Sequence, residues 1–130
     1  MNKLLFIILL AFNTTYLFSQ DYCKEFKNGK FYIVTERNDS LYIISRQDSI
    51  QIETSPIGLV IQFKVKWINT CNYVISVEKI LKNPTNINFP LNAIFNVKII
   101  GKTDRGYVQE TRANYSERVM KSEIRKFQKQ

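Results

Sequence analysis

Gly58–Ile68 reads GLVIQFKVKWI and Cys71–Ile80 reads CNYVISVEKI, and these two segments decide the fold. In the first, Leu59, Ile61, Phe63, Val65 and Trp67 fall on one face, and Val60, Gln62, Lys64, Lys66 and Ile68 fall on the other. Side chains on a strand alternate between faces, so this period of two marks a half-buried strand. The second segment repeats it, with Cys71, Tyr73, Ile75 and Val77 against Asn72, Val74, Ser76 and Glu78. A short hairpin loop, Ile68-Asn69-Thr70, joins the two. It sets Trp67 opposite Cys71, Val65 opposite Tyr73, Phe63 opposite Ile75 and Ile61 opposite Val77, all on one face. A loop one residue shorter breaks the match, because a single-residue slip turns every side chain over.

Working outward, Lys30–Thr35 (KFYIVT), Leu41–Ser45 (LYIIS) and Ser49–Thr54 (SIQIET) read as short strands. Polar separators, Glu36–Ser40 and Arg46–Asp48, make the turns between them. Downstream, Ile94–Ile100 carries Phe95, Val97 and Ile99 on one face, Gly101–Gly106 is a turn, and Tyr107–Arg112 is a further strand. Strands at this spacing predict an all-β fold, a small antiparallel barrel or sandwich, in a single domain over residues 21–130. Leu81–Ala93, with Asn83, Asn86, Asn88 and Asn92 beside Pro84 and Pro90, reads as a surface loop. The segment Asn114–Gln130 is open between two forms. Met120, Ile124 and Phe127 fit a helical stripe that Ser116 could cap, and Ser122–Phe127 also fits a closing strand.

Met1–Gln20 has the plan of a secretory signal peptide. Lys3 is the positive start, Leu4–Phe12 the apolar centre, and Leu17–Ser19 a small-residue exit. The competing reading, a membrane anchor, needs about 20 mostly apolar residues, whereas this run stops at Asn13-Thr14-Thr15. Cleavage after Ser19 or Gln20 leaves an exported chain, periplasmic or secreted, with no transmembrane span. Tyr22 directly before Cys23 argues against a lipid anchor.

The whole chain of 130 residues carries 19 Lys and Arg against 11 Asp and Glu, a formal charge of +8. It has no His and two Cys. A His-based triad, a His general base, a His-ligated metal and a four-Cys zinc site are therefore excluded, and no metal or cofactor is expected. In an oxidising compartment Cys23 and Cys71 are expected to pair as a disulfide. Two buried free thiols are the alternative, and a catalytic Cys lacks the base that would activate it.

Four features stand together: Cys23-x-x-Phe26-x-x-Gly29-x-Phe31, Arg46 with Gln51-x-Glu53, Phe63-x-Val65-x-Trp67, and Cys71-x-Tyr73. Together they resemble a family of small exported Bacteroidota proteins with one all-β domain and no established activity. Members of that family are often labelled as a type II topoisomerase. The residues argue against that label, since the chain has no P-loop and is far too short for a nucleotide-binding or cleavage domain. The resemblance implies a final strand at Ser122–Phe127. In such bacteria Asp39-Ser40-Leu41 and Asp48-Ser49-Ile50 resemble O-glycan acceptors. Asn38-Asp39-Ser40 and Asn114-Tyr115-Ser116 match the N-glycan pattern.

The candidate ligand or surface residues are Arg46, Gln51, Glu53, Lys64 and Lys66. The first three line up with a pocket or with an ordinary cross-strand pair. Lys64 and Lys66, with Arg112, Arg118, Lys121, Arg125, Lys126 and Lys129, compose a basic surface or a solvated one. Trp67 is placed in the core beside Cys71. No nucleic-acid motif accompanies the basic residues, so no nucleic acid is expected as partner. Carboxylate chemistry needs two acids about 5–10 Å apart; Glu53 and Glu78 are candidates, and nothing in the sequence selects a pair. The leading expectation is a non-enzymatic envelope or secreted binding module for an unknown ligand or envelope component. The alternatives are a small carboxylate-dependent hydrolase, a hydrolase inhibitor working through Leu81–Ala93, or a structural envelope component. The sequence sets no oligomeric state.

Overall fold

The computed structural model describes residues 21–34 and 40–128. The expected signal peptide Met1–Gln20, most of the Glu36–Ser40 turn and Lys129 lie outside the described residues. Among the described residues eight strands follow a short 3-10 helix, Asp21–Phe26. They are β1 (Gly29–Val34), β2 (Leu41–Gln47), β3 (Ile50–Thr54), β4 (Val60–Trp67), β5 (Asn72–Lys82), β6 (Ile94–Lys102), β7 (Gly106–Ala113) and β8 (Val119–Lys126). Each pairs antiparallel with its neighbour in sequence, and β8 pairs with β1 to close a barrel. Barrel, not sandwich, is thus the architecture. The tail is a strand, because β8 satisfies the free edges of both β7 and β1, and closure leaves no edge to template aggregation. A helix over Asn114–Gln130 would leave both edges open.

The β4–β5 hairpin differs from its expected register. Trp67 faces Tyr73, Val65 faces Ile75, Phe63 faces Val77 and, past one bulge, Ile61 faces Ile80. The loop is Asn69-Thr70-Cys71, displaced by one residue, with the Ile68 N–H donating to the Asn72 carbonyl at 2.8 Å. The Asn69 side chain decides this. Its Oδ1 accepts from the Cys71 N–H at 3.0 Å and the Asn72 amide at 2.7 Å, which makes an Asx-type turn. Displacing a turn by one residue shifts the pairing by two, so every side chain keeps its face.

The core lies inside the barrel, and one end is plugged. Cys23 and Phe26 from the 3-10 helix are both fully buried, and the Phe26 ring packs 4.6 Å from that of Tyr107. The disulfide is Cys23–Cys71, as expected, and it ties this plug to the β4–β5 loop. At Gly106 the neighbouring strand comes so close that a Cβ would sit 2.0 Å from the Ile124 carbonyl oxygen. Only glycine fits there.

The irregular stretch is shorter than expected, because β5 runs on to Lys82. Asn83 stitches its start, accepting from the Ile87 N–H at 2.9 Å and donating to the Ile87 carbonyl at 2.8 Å. Its end is held by Asn114, which bonds the Ile94 N–H and the Asn92 carbonyl, both at 3.0 Å. The stretch is not wholly superficial: Ala93 is buried and Phe89 half-buried over the barrel's unplugged end.

Candidate functional site in the barrel lumen

An eight-stranded barrel is just wide enough inside to be filled by side chains or to hold one small ligand. This barrel does both, at different heights. Near the plug the inward positions carry Phe31, Arg46, Tyr73, Tyr107 and Ile124, and these side chains fill the space. Toward the unplugged end the inward positions of β7 and β8 shrink to Thr111 and Ser122, and a cavity of about 370 Å3 opens. That falls in the usual range of small-molecule sites, about 300–1,000 Å3. Ile33, Ile44, Phe63, Ile75, Phe95 and Val97 make its apolar wall, and Phe89, Tyr115 and Met120 stand at its rim. Its polar wall is Tyr42, Gln51, Glu53, Gln109, Thr111 and Ser122.

The polar wall is the outer end of one hydrogen-bond network rooted in Arg46. That guanidinium is 2% exposed. Its Nε donates to Gln51 Oε1 at 2.7 Å, Nη1 to the Phe26 carbonyl at 2.6 Å, and Nη2 to the Tyr73 and Tyr107 hydroxyls at 2.8 and 3.1 Å. It also lies over the Tyr73 ring, 4.7 Å from the centroid, and over Phe31 at 5.2 Å. From there the network forks. Gln51 donates onward to Glu53 Oε2 at 2.9 Å, and the Tyr42 hydroxyl donates to Glu53 Oε1 at 2.5 Å. The Tyr73 hydroxyl donates to Gln109 Oε1 at 3.2 Å, and Gln109 donates to Thr111 at 3.2 Å.

The chemistry of this arrangement follows from burial. Loss of water pushes the Glu53 carboxyl above its ordinary range, against the pull of the Tyr42 and Gln51 donors and of Arg46. Burial and the Glu53 charge raise the Tyr42 phenol, and burial with Tyr107 raises Tyr73, so both stay protonated. Burial alone would lower Arg46, but Tyr73, Tyr107 and Glu53 more than offset it, and the guanidinium stays charged. The Arg46 guanidinium and the half-buried Glu53 carboxyl thus stand one amide apart. Among the described residues no three metal-ligating side chains converge.

Of the sequence candidates, Arg46, Gln51 and Glu53 come together, and they are cross-strand partners as well: Arg46 faces Gln51 between β2 and β3. Lys64 and Lys66 do not join them; they are exposed on the outer face of β4. Glu53 and Glu78 do not pair. Glu53 is inside, while Glu78 is exposed and accepts a hydrogen bond from Gln62 at 2.9 Å. Arg125 is occupied by Glu123 at 2.7 Å. Trp67 is half-buried, its ring 4.6 Å from that of Tyr73. Of the glycan patterns, Asn38 and Asp39 lie outside the described residues, Ser49 is exposed in the β2–β3 turn, and the Asn114 amide is committed to the backbone at both ends.

Sequence reasoning missed Tyr42, Tyr107, Gln109 and Thr111. A signal existed for three of them: in Tyr107–Arg112 the residues Tyr107, Gln109 and Thr111 share one phase. No family model matches the chain, and no curated protein or solved structure is significantly similar to it.

Proposed function

We propose that the protein is a non-enzymatic binding module that takes one small ligand into the unplugged end of its barrel. The observation that carries this is the 370 Å3 cavity, apolar on most sides and wired on one, in a barrel that is otherwise filled. Liquid water occupies about 30 Å3 per molecule, so the space suits on the order of a dozen non-hydrogen atoms. At roughly 0.5 kcal/mol per atom such a ligand binds at tens of micromolar. The disulfide supports an exported setting, periplasmic or secreted, since such bonds persist in oxidising compartments. Among the described residues no helix is long and apolar enough to cross a membrane.

Hydrolysis by two carboxylates is less well supported. Among the described residues lining the cavity, Glu53 is the one acid. At the plugged end Glu25 is bound to Lys102 at 2.9 Å, and that bond lowers its pKa, the reverse of what a general acid needs.

The test is titration with an environment-sensitive apolar dye, with Ser122→Phe as the cavity-filling variant. Saturable dye binding that Ser122→Phe abolishes, with the fold intact, is the expected result. Equal binding by both proteins, or none by the wild type, overturns the reading.

A further inference from the structure

A chain with a formal charge of +8 suggests an anionic ligand. The cavity is built the other way. We infer that the site selects a ligand with an apolar body and a head group that donates hydrogen bonds and carries no negative charge, an alcohol or amine rather than a carboxylate or phosphate, with Glu53 as the acceptor that recognises it. This rests on the binding-module reading and names the class of ligand.

Three observations carry it. First, the cationic side chains stay out. Among the described residues no Lys or Arg lines the cavity, and Arg46, the one guanidinium inside the barrel wall, spends its donors on Gln51, Phe26, Tyr73 and Tyr107. Among the described residues lining the space, Glu53 is the one carboxyl.

Second, the network fixes the polarity of Glu53. Because Arg46 Nε donates to Gln51 Oε1, the other end of that amide must be its NH2 group, and this group faces Glu53 Oε2. Gln51 is 2% exposed, so no water competes for the choice. Glu53 is thereby held as an acceptor. A carboxylate has about four lone-pair sites, and Tyr42 and Gln51 occupy one on each oxygen. The remainder can serve a ligand.

Third, the donors beside Glu53 are already committed. The hydroxyl hydrogen of Tyr42 is committed to Glu53, that of Tyr73 to Gln109, and one Gln109 N–H to Thr111. Beside Glu53 an anionic head would meet a second carboxyl in a water-poor site, and the Thr111 and Ser122 hydroxyls and the second Gln109 N–H are what the polar wall leaves to serve it.

The experiment uses the folded, disulfide-bonded chain loaded with the apolar dye at neutral pH. Decanol, decylamine and decanoate, alike in their apolar bodies, are titrated as competitors. Decanol and decylamine are expected to displace the dye about tenfold more strongly than decanoate, the worth of one unfavourable contact. Glu53→Gln is expected to narrow that gap to about threefold or less, by improving decanoate. The overall positive field of the protein favours decanoate, so the ranking runs against non-specific attraction. Decanoate binding as well as decanol overturns the inference, as does a gap that Glu53→Gln leaves unchanged. Either result leaves the cavity reading standing, because the dye still binds. Should Glu53→Gln fail to fold, the wild-type ranking alone decides. If the dye does not bind the wild type, both the binding-module reading and this inference fall.

Discussion

Arg46→Met tests the energetic centre of the barrel. Methionine keeps an apolar stem against the rings of Phe31 and Tyr73 and removes the guanidinium. The loss strips donors from the Phe26 carbonyl, Gln51 Oε1 and two tyrosine hydroxyls, and removes a cation that pulls the Glu53 pKa down. Replacing every member of a buried ionic group by apolar residues is often neutral or stabilising, but removing one partner costs about 3–5 kcal/mol. The second case applies, so the expected loss is about 4 kcal/mol. A domain of this size has roughly 5–15 kcal/mol in total. The chain's single Trp, Trp67, stacks on Tyr73 and reports unfolding by fluorescence. With a urea slope of about 1.5 kcal/mol/M, the midpoint should fall by roughly 2–3 M. The combined variant Arg46→Met, Gln51→Leu, Glu53→Leu should recover most of that loss, because it leaves fewer groups stranded. A midpoint shift under roughly 0.5 M for Arg46→Met, or a triple variant no more stable than the single, refutes the reasoning.

Three further outcomes follow from the same geometry. Replacing Cys23 and Cys71 by Ser opens a 48-residue loop and should cost about 4 kcal/mol by the chain-entropy argument, lowering Tm by roughly 20 °C; a drop of a few degrees would contradict it. Gly106→Ala should cost about 3 kcal/mol, because its Cβ would meet the Ile124 carbonyl, whereas Gly101→Ala meets nothing within 4 Å and should stay within about 1 kcal/mol; equal denaturation midpoints for the two would sink the account. Burial sets the folded pKa of Glu53 above its unfolded value of about 4.3, so the folded state holds the proton longer and stability falls as pH rises through that interval. Glu53→Gln should remove this decline, and parallel Tm-versus-pH curves for the two proteins would show that the burial argument is wrong.

The strands were legible because the barrel interior and its exterior impose a period of two, and Phe63-x-Val65-x-Trp67 or Phe95-x-Val97-x-Ile99 cannot be read otherwise. Turn positions were less legible. The Asn69 side chain selects between two loops that bury the same residues, and a hydrophobic pattern is blind to a two-residue shift. The form of the tail was settled by long-range pairing of β8 with both β7 and β1, which no local propensity records. The site was half legible. Arg46, Gln51 and Glu53 were visible as polar residues in strands. Their inward direction was not, since in β3 it is Gln51 that is buried while Ile50 is 42% exposed. Alternation read by hydropathy would turn that strand over.

The inversion in β3 explains why plug and cavity belong to one design. An uncompensated Arg46 inside a barrel would be costly. Answering it requires polar side chains at inward positions: Gln51 and Glu53 on β3, Gln109 and Thr111 on β7. These point away from the plug, toward the unplugged end, and they replace the large apolar residues that would otherwise fill the lumen there. The space and the polar wall facing it therefore have the same origin. Filling the cavity with an apolar side chain would cover Glu53, whose oxygens have acceptor sites beyond those that Tyr42 and Gln51 use. A barrel maintained for stability alone would be expected to dispense with Arg46 and the whole network, since a packed apolar core is as stable or more so. The ionic group and the open volume beside it are together what the proposed binding function would use.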